Sequence, residues 1–159
     1  MSGDIIIERA NIGDSFEVAV MVGELLTEIS DAIGVKAFNF ELDNTAVRLR
    51  DFLKRDKYFV FVARQGSIKP IGFITLYESY ALYAEGIFGT LPELYVRPAY
   101  RSKNVGKQLI SRAKTFGESG GWKRLEVTTP SLPQFSRTLI FYEREGFAVT
   151  GGRKLKLVL

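Results

Sequence analysis

The sequence predicts an α/β domain, α+β in layout, in which about four helices flank a mixed, mostly antiparallel sheet of about six or seven strands. Three observations lead to this prediction. Two β-rich runs are joined by a short stretch containing Gly and Pro, which is typical of an antiparallel hairpin. In the second half, segments with apolar residues at helical spacing alternate with β-rich runs, as in strand–helix crossovers. Finally, 159 residues without an interdomain linker favour a single domain over residues 1–159.

The first half of the chain supplies one strand, two helices and the hairpin. Residues 5–9 are a β-branched run and are predicted as the first strand. Helices are predicted over residues 15–29, with Asp14 as the cap, and over about residues 43–55. The hairpin strands are predicted at residues 58–64 and 71–77.

The second half begins with residues 78–89, which mix aromatic and small side chains without a clear period. One helix is predicted from Val105 to near Gly117, and a second over residues 137–145, with Ser136 as its cap and Gly146 as its stop. The predicted strands of this half are residues 90–96, 122–129, 147–149 and 154–158.

The composition limits the chemistry, because the chain contains no His and no Cys. Disulfides, thiolate nucleophiles, thiolate or imidazole metal sites and imidazole-based triads are therefore excluded, and no metal is expected. In an enzyme of this composition, proton transfer falls to Asp, Glu, Tyr, Lys or water.

The charge and hydropathy of the chain argue against a nucleic-acid or membrane partner. A formal charge of +4 permits an anionic ligand but is too small for a nucleic-acid footprint. No apolar run approaches the roughly 18 residues of a membrane helix, and the first residues lack the basic start of a secretory signal. We therefore expect a cytoplasmic protein with no nucleic-acid and no membrane partner.

A basic loop of small residues connects the strand predicted at residues 90–96 to the helix that begins at Val105. The unpaired backbone N–H groups at the start of a helix lie at the positive end of the helix dipole, where an anion binds favourably. Gly106 has no side chain to block a phosphate, and Asn104 readily enters left-handed backbone conformations. The loop adds three cations: Arg101, Lys103 and Lys107.

This loop resembles motif A of the GNAT superfamily of N-acetyltransferases, whose pattern is Arg/Gln-x-x-Gly-x-Gly/Ala. Here the motif takes the form Arg101-x-x-Asn104-x-Gly106. The run that precedes it, Leu94-Tyr95-Val96-x-Pro98-x-Tyr100-Arg101, is also typical of that family.

A second family signature follows downstream. A helix that carries Tyr142 and ends in Gly146-Phe147 is similar to it, and about 36 residues separate Gly106 from Tyr142, a usual interval for the family. The resemblance covers roughly residues 91–147 and agrees with the element order of the whole chain.

The resemblance implies that acetyl-CoA is the co-substrate and lies between splayed central strands, one ending at Val96 and the other starting at Trp122. The backbone of Leu94, Tyr95 and Val96 would pair with the pantetheine arm. The pyrophosphate would be held by the loop amides, that is, by Arg101, Ser102, Lys103, Asn104, Val105, Gly106 and Lys107.

The resemblance also implies direct attack of a primary amine on the thioester in a ternary complex. A Lys-like amine has a pKa near 10.4, so most of it must first lose a proton. Without His, Glu93 is the carboxylate we expect to act as base, directly or through water, and water alone remains the alternative. Tyr142 corresponds to the family tyrosine near the sulfur and would donate a hydrogen bond or proton to the departing thiolate.

Two positions depart from the family pattern. Asn104 replaces the first glycine of the motif, which would reshape the pyrophosphate loop. Phe135, seven residues before Tyr142, stands where many members place an Asn that contacts the cofactor. These departures keep a second hypothesis open, namely a CoA-binding module of the same fold without transferase turnover.

The acceptor is expected to be a small-molecule amine, with polyamine, aminoglycoside or amino-acid-like compounds favoured. In related enzymes the regions equivalent to residues 32–44 and 78–89 shape the acceptor site. Here they and their neighbours combine carboxylates with aromatic rings, a composition that suits a cationic amine: Asp31, Glu41, Asp43, Glu78 and Glu85 with Phe38, Phe40, Tyr77, Tyr80 and Tyr83. Because members of the family often dimerise, a homodimer is also left open.

Overall fold

The computed structural model describes residues 3–66, 69–130 and 134–159. It divides into two compact units, Met1–Thr128 and Thr129–Leu159, and the prediction of one domain stays a prediction. Within the described residues the elements are β1 Ile5–Arg9, α1 Ser15–Ile33, α2 Leu42–Lys54, β2 Phe59–Gln65, β3 Pro70–Ala81, β4 Gly86–Leu91, β5 Leu94–Val96, α3 Val105–Ser119, β6 Leu125–Val127 and α4 Ser136–Arg144.

The first unit contains one mixed sheet with β3 at its centre. The strands β1, β2, β3 and β4 pair in that order, and each pair is antiparallel. β6 pairs with β4 in the parallel direction, and β5 pairs with β3 in the antiparallel direction. This mixed, mostly antiparallel sheet of six strands, together with four helices in the described chain, confirms the predicted fold class.

Different helices cover the two faces of the sheet. Val60 and Val62 of β2 belong to a buried cluster with α1 and α2, whereas the rings of Phe59 and Phe61 contact Phe116 of α3 at 4.9 and 5.4 Å. Neighbouring strand residues point to opposite faces, so α1 and α2 lie on one face and α3 on the other. The apolar face predicted for α3 is fully buried at Val105, Leu109, Ile110 and Ala113.

The helix ends of the first half differ from the prediction. α1 runs four residues further, to Ile33, and ends at Gly34 in a left-handed conformation. Asp14 precedes α1 but its carboxylate does not cap the helix, because it accepts from the N–H of Asn11 at 2.8 Å and pairs with Arg64 at 3.0 Å. α2 begins at residue 42, because the carboxylate of Glu41 accepts the N–H groups of the first turn.

Residues 78–89, left unassigned by the sequence, form most of a second hairpin. β3 continues to Ala81, a single helical turn spans Leu82–Ala84, and β4 begins at Gly86. Tyr80 and Tyr83 near the tip are 72% and 79% exposed, so apolar rings face solvent and no buried period marks the strands.

Four strand predictions were wrong in whole or in part, and one of them, residues 90–96, is divided between the end of β4 and β5. Residues 147–149 and 154–158 are not strands, and residues 122–129 reduce to the three residues of β6. An alternating apolar pattern favours a strand only where a partner supplies the ladder hydrogen bonds. Within the described part of the second unit no strand pairs with these segments, and Leu155 and Leu157 are more than 80% exposed. Ser136 was also predicted to cap α4, but it is the first helical residue.

Trp122 is packed between two glycines, which makes Gly89 a sensitive position. A Cβ added at Gly89 would lie 2.3 Å from the indole of Trp122, and one at Gly117 would lie 2.8 Å from it. We therefore expect Gly89→Ala to lower the free energy of unfolding by about 1–3 kcal/mol through overpacking. Denaturant unfolding measures this change. Gly151→Ala, at a glycine with open space, is the matched control, and equal stability of the two variants would contradict the packing argument.

Candidate active site

A β-bulge at Pro92 separates β4 from β5 along one edge of β3. Thr90 lies opposite Tyr77 and Leu94 lies opposite Ile74, so four steps along β4 and β5 match three steps along β3. The extra residue is Pro92, which has no N–H to contribute to a ladder and is tolerated at a bulge. The bulge follows directly on the last residue of β4 that pairs with β6.

β5 is bonded to β3 through every second residue. The N–H of Thr75 donates to the carbonyl of Glu93 at 2.9 Å, and the N–H of Arg97 donates to the carbonyl of Ile71 at 2.8 Å. Bonded and non-bonded pairs alternate along an antiparallel ladder. Tyr95, midway between these pairs, therefore also directs its N–H and C=O toward β3.

Leu94 and Val96 consequently direct their backbone polar groups away from β3. On that side the sheet opens, because among the described residues β6 pairs with β4 alone, and only as far as Leu91 and Val127. Of the three β5 residues predicted to bind an extended arm by their backbone, the geometry leaves Leu94 and the N–H of Val96 facing the open side, because the carbonyl of Val96 accepts from Arg101. The backbone groups of Tyr95 are used within the sheet.

The loop before α3 has two non-glycine residues in the left-handed region, Ser102 (φ 64°) and Asn104 (φ 63°). Gln108 makes the first intrahelical bond, from its N–H to the carbonyl of Asn104 at 3.0 Å. The preceding amides therefore have no partner within the helix and lie at the positive end of its dipole, where phosphate groups bind. These amides belong to Val105, Gly106 and Lys107, and the side chains of Lys103 and Lys107 are exposed.

Arg101 ties this loop to β5 and α1. Its Nε donates to the carbonyl of Val96 at 2.8 Å, its Nη2 pairs with Glu28 at 2.7 Å, and its guanidinium lies 5.6 Å from the ring centre of Tyr95. The guanidinium therefore positions the loop as well as adding charge to it.

The left-handed conformation of Asn104 explains why this residue can stand in place of the motif glycine. A β-branched side chain is strained there, so we expect Asn104→Val to lower the free energy of unfolding by about 1–2 kcal/mol and to weaken the acetyl-CoA binding that the sequence resemblance implies for this loop. Asn104→Gly is the matched control and should leave both quantities close to wild type. Denaturant unfolding and calorimetry measure them, and wild-type binding by Asn104→Val would contradict a role for the loop conformation.

Glu93 follows the bulge and is held by two hydroxyl groups on the face of the sheet that α1 and α2 cover. The hydroxyl of Thr75 donates to its carboxylate and accepts from its N–H at 3.0 Å. The hydroxyl of Tyr58 also hydrogen-bonds the carboxylate, and its ring stacks on Tyr77 with ring centres 6.1 Å apart. Glu93 is only partly exposed, so it is not a fully solvated carboxylate of a strand edge.

Burial dominates the electrostatics of this cluster. It raises the pKa of the Glu93 carboxyl above its ordinary value, and the hydrogen bonds from Thr75 and Tyr58 offset part of that rise. Burial and the neighbouring Glu93 charge raise the pKa of Tyr58, so its hydroxyl stays protonated and donates. The result is a carboxyl group whose pKa is moved toward neutrality, as a general base requires.

A second, partly exposed carboxylate, that of Glu24, links α1 to β5. Glu24 accepts two hydrogen bonds from Arg97, both at 3.1 Å, and one from the hydroxyl of Tyr95 at 3.2 Å. Burial, and then the charge of Glu24, raise the pKa of Tyr95 to about 12. The Tyr95 side chain is therefore a structural donor that fixes β5 against α1.

A groove runs along α1 beside this link. Some of its lining residues come from the range 32–44, which was predicted to shape the acceptor site. Two adjoining cavities of about 620 and 570 Å³ share Thr27, Asp31 and Phe40. The larger one is also lined by Glu24 and Glu28. Phe38 lines the smaller cavity. Glu41 caps α2, accepting from the N–H groups of Asp43 and Asn44, and is thereby explained by local structure.

The residues of 78–89 that were predicted to shape the acceptor site do not form one cluster but make different local contacts. Glu78 accepts from the indole N–H of Trp122 at 2.9 Å and from the hydroxyl of Tyr80 at 2.8 Å. The Trp122 bond, and then the Tyr80 bond, hold the pKa of Glu78 below its ordinary value. Tyr83 contacts Arg124, and Glu85 occupies the turn at positive φ. Among the described contacts, only the neighbouring Tyr77, also predicted for the acceptor site, touches a residue bonded to Glu93.

The second unit carries Tyr142 on α4. The Tyr142 side chain is buried, and its ring lies 5.3 Å from those of Phe141 and Phe147. Burial raises its pKa, so the hydroxyl remains protonated at physiological pH. Phe135 precedes the first turn of α4 and makes no side-chain cap.

The family assignment follows from a match to a family model described as an acetyltransferase (GNAT) domain, which covers residues 56–149, more than half of the chain. The chain belongs to the GNAT family of N-acetyltransferases. An uncharacterized N-acetyltransferase, YhfO, of Bacillus subtilis is 26% identical to this acetyltransferase, over 89% of this chain and 88% of that protein. An aminoalkylphosphonate N-acetyltransferase of Salmonella typhimurium is also 26% identical, over 89% of this chain and 83% of that protein.

Solved structures support the same fold for this acetyltransferase. An aminoglycoside acetyltransferase from an uncultured soil metagenomic sample, in complex with sisomicin, superposes with a TM-score of 0.76 at 20% identity. The alignment covers 98% of this chain and 96% of that one. The aminoglycoside N-acetyltransferase AAC(6')-Iy, in complex with CoA, gives a TM-score of 0.79 at 18% identity, with 98% and 95% covered.

The sequence did not indicate the residues that hydrogen-bond the predicted site residues. Thr75 and Tyr58 were assigned only to strands, and Glu24 only to a helix. A polar Thr inside the apolar run of β3 was the available signal for Thr75, because a buried hydroxyl requires a partner.

In the part of the chain that the structure describes, no helix is long and apolar enough to cross a membrane, and no cluster of three or more acidic side chains could hold a metal.

Proposed function

We propose that this acetyltransferase transfers the acetyl group of acetyl-CoA directly to a primary amine of a small cationic acceptor, in a ternary complex, with Glu93 as the base. The observation that carries the proposal is that Glu93, the open edge of β5 and the loop before α3 follow one another along the chain; we call this stretch, residues 93–107, the track. The track has a carboxylate at one end and, at the other, helix amides that have no partner within the helix.

Acetyl-CoA fits the residues of this track. An extended amide-containing arm suits the backbone groups of Leu94 and the N–H of Val96, which are directed away from β3. A pyrophosphate suits the amides of Val105, Gly106 and Lys107 at the start of α3. When bound, acetyl-CoA supplies an activated acyl group, and the protein then needs to hold it and to deprotonate the amine.

Glu93 is suited to remove the amine proton. An amine with a pKa near 10 arrives as an ammonium ion, and its nitrogen must release a proton before it can attack a carbonyl. The Glu93 carboxylate accepts that proton directly or through one water, and its raised pKa makes it a better base than an exposed carboxylate. We assign Tyr142 the complementary role of donating a hydrogen bond or proton to the sulfur of the departing CoA.

A cationic acceptor is supported by the charge of the groove along α1. Three carboxylates and a phenyl ring line its larger part: Glu24, Glu28, Asp31 and Phe40. Arg97 and Arg101 pair with Glu24 and Glu28, so the Asp31 carboxylate is the net negative charge of this larger part, while Lys36 lines the smaller cavity. Carboxylates and aromatic rings together favour a cationic amine. The enzymes that this chain resembles are named for two different acceptors, an aminoalkylphosphonate and an aminoglycoside, so an assay decides the class of acceptor.

The proposal is tested by CoA release from acetyl-CoA with a panel of amines: amino acids, polyamines, aminoglycosides, aminoalkylphosphonates and peptide N-termini. We expect turnover with at least one cationic small amine, confirmed by the mass of the acetylated product. Calorimetry with acetyl-CoA is run in parallel. Tight acetyl-CoA binding without turnover on any acceptor would instead identify a CoA-binding module.

A further inference from the structure

Thr75 is a buried polar residue in the most apolar part of the central strand. Its side chain is 1% exposed, and it stands between Ile74 and Leu76, which are fully buried. A buried hydroxyl costs free energy unless it is hydrogen-bonded. A Val would have nearly the same shape without that requirement, so the hydroxyl at this position needs a reason.

All the described polar contacts of the Thr75 N–H and hydroxyl go to one residue, Glu93. Its N–H donates to the Glu93 carbonyl at 2.9 Å, and its hydroxyl oxygen accepts from the Glu93 N–H at 3.0 Å. The same hydroxyl donates to the carboxylate of Glu93. One residue therefore holds both the backbone and the side chain of Glu93.

The bulge at Pro92 explains this arrangement. In a regular antiparallel pair the two residues exchange backbone bonds, and the N–H of Glu93 would be donated to the carbonyl of Thr75. The extra residue displaces that N–H onto the Thr75 hydroxyl. With its acceptor side occupied by an N–H, the hydroxyl directs its single proton at the carboxylate.

Tyr58 completes the hold on the carboxylate from the other side. Its hydroxyl bonds Glu93, and its ring is fixed by contacts with Phe52 at 5.1 Å and Tyr77 at 6.1 Å between ring centres. Two titratable groups surround the Glu93 carboxylate. Tyr58, at the end of the α2–β2 connection, hydrogen-bonds it, and Tyr77, on β3, interacts with Tyr58.

We propose that Thr75 is a positioning residue for acetyl transfer, which aims the Glu93 carboxylate at the acceptor amine by holding it through the hydroxyl. This inference rests on the proposed role of Glu93 as the base. Thr75 itself touches neither substrate. It holds the carboxylate beside the start of the open β5 edge, and its hydrogen bond favours the charged, proton-accepting form.

The test compares Thr75→Val, which removes the hydroxyl at constant shape, with Thr75→Ser, which keeps it. Two quantities are measured in each full-length variant: the pKa of the Glu93 carboxyl, by carbon-13 NMR titration, and the pH dependence of kcat/KM. For Thr75→Val we expect the Glu93 pKa to rise and the ascending limb of the pH profile to move to higher pH. At pH values below the ascending limb, kcat/KM should fall about tenfold, while the KM for acetyl-CoA stays unchanged. Thr75→Ser should restore both quantities.

The two readouts separate this inference from the proposed function. An unchanged Glu93 pKa in Thr75→Val would overturn the role of Thr75 and leave Glu93 as the base. A shifted Glu93 pKa with an unmoved pH profile would show that Glu93 is not the base, and it would overturn both proposals. Thermal unfolding of both variants checks that lost activity does not reflect lost fold, and NMR titration reports on Glu93 whether or not turnover is observed.

Discussion

Glu93→Gln should reduce kcat about 100-fold or more, because it removes the proposed base and leaves water to accept the amine proton. The amide keeps the size of the side chain, and its oxygen can still accept from the hydroxyls of Thr75 and Tyr58. The fold and the affinity for acetyl-CoA are therefore expected to be retained. Steady-state kinetics with saturating acceptor measure the change.

The role proposed for Glu93 also predicts how the activity depends on pH. A base works when deprotonated, so activity rises with pH through the pKa of Glu93. Since burial raises that pKa, the ascending limb lies above the range of an exposed glutamate. Glu93→Gln should abolish this limb, leaving only the ionisation of the acceptor. Glu8→Gln, on the opposite edge strand β1, is the matched control and should behave as wild type. A wild-type rate and profile in Glu93→Gln would assign the proton to water alone.

Tyr142→Phe should have the second largest effect, a fall in kcat of about 100-fold, because it removes the donor proposed for the departing thiolate. The ring contacts with Phe141 and Phe147 do not depend on the hydroxyl, so the second unit should fold as before. Because burial raises the pKa of Tyr142, its hydroxyl is protonated across the working range. The ascending limb should therefore keep its position while the plateau drops.

Binding of acetyl-CoA is the control for this variant. Calorimetry should give the same affinity for wild type and Tyr142→Phe, since the role assigned to the hydroxyl concerns the leaving group. Full activity with an unchanged pH profile would remove Tyr142 as the acid. A weakened affinity at unchanged kcat would instead make it a binding residue.

The sequence predicted the fold class because the signals that define it are local. The first strand, the first hairpin and the apolar stripe of α3 follow from periodicity within single segments. The terminal strands failed for the complementary reason. Residues 147–149 and 154–158 have a suitable pattern, but whether a pattern becomes a strand depends on a partner that periodicity does not supply.

The sequence singled out Glu93 and the loop before α3, whose roles stay predictions, but not the residues that hold them in place. Glu93 and the loop around Asn104 stand in recognisable motifs, and the left-handed φ of Asn104 fits its known conformational tolerance. The bulge at Pro92 was not predicted, although it decides which backbone groups face outward. Thr75 reaches Glu93 across 18 residues of sequence, a distance that no local pattern spans.

The central claim, direct transfer without an acetylated protein, is tested by the CoA released in the first turnover, with and without acceptor amine. We predict no CoA release in a rapid-mixing experiment with acetyl-CoA alone, and release equal to the enzyme concentration, or more, once the acceptor is added. A burst of CoA without acceptor, accompanied by an increase in the intact mass of the chain by one acetyl group, would contradict the account.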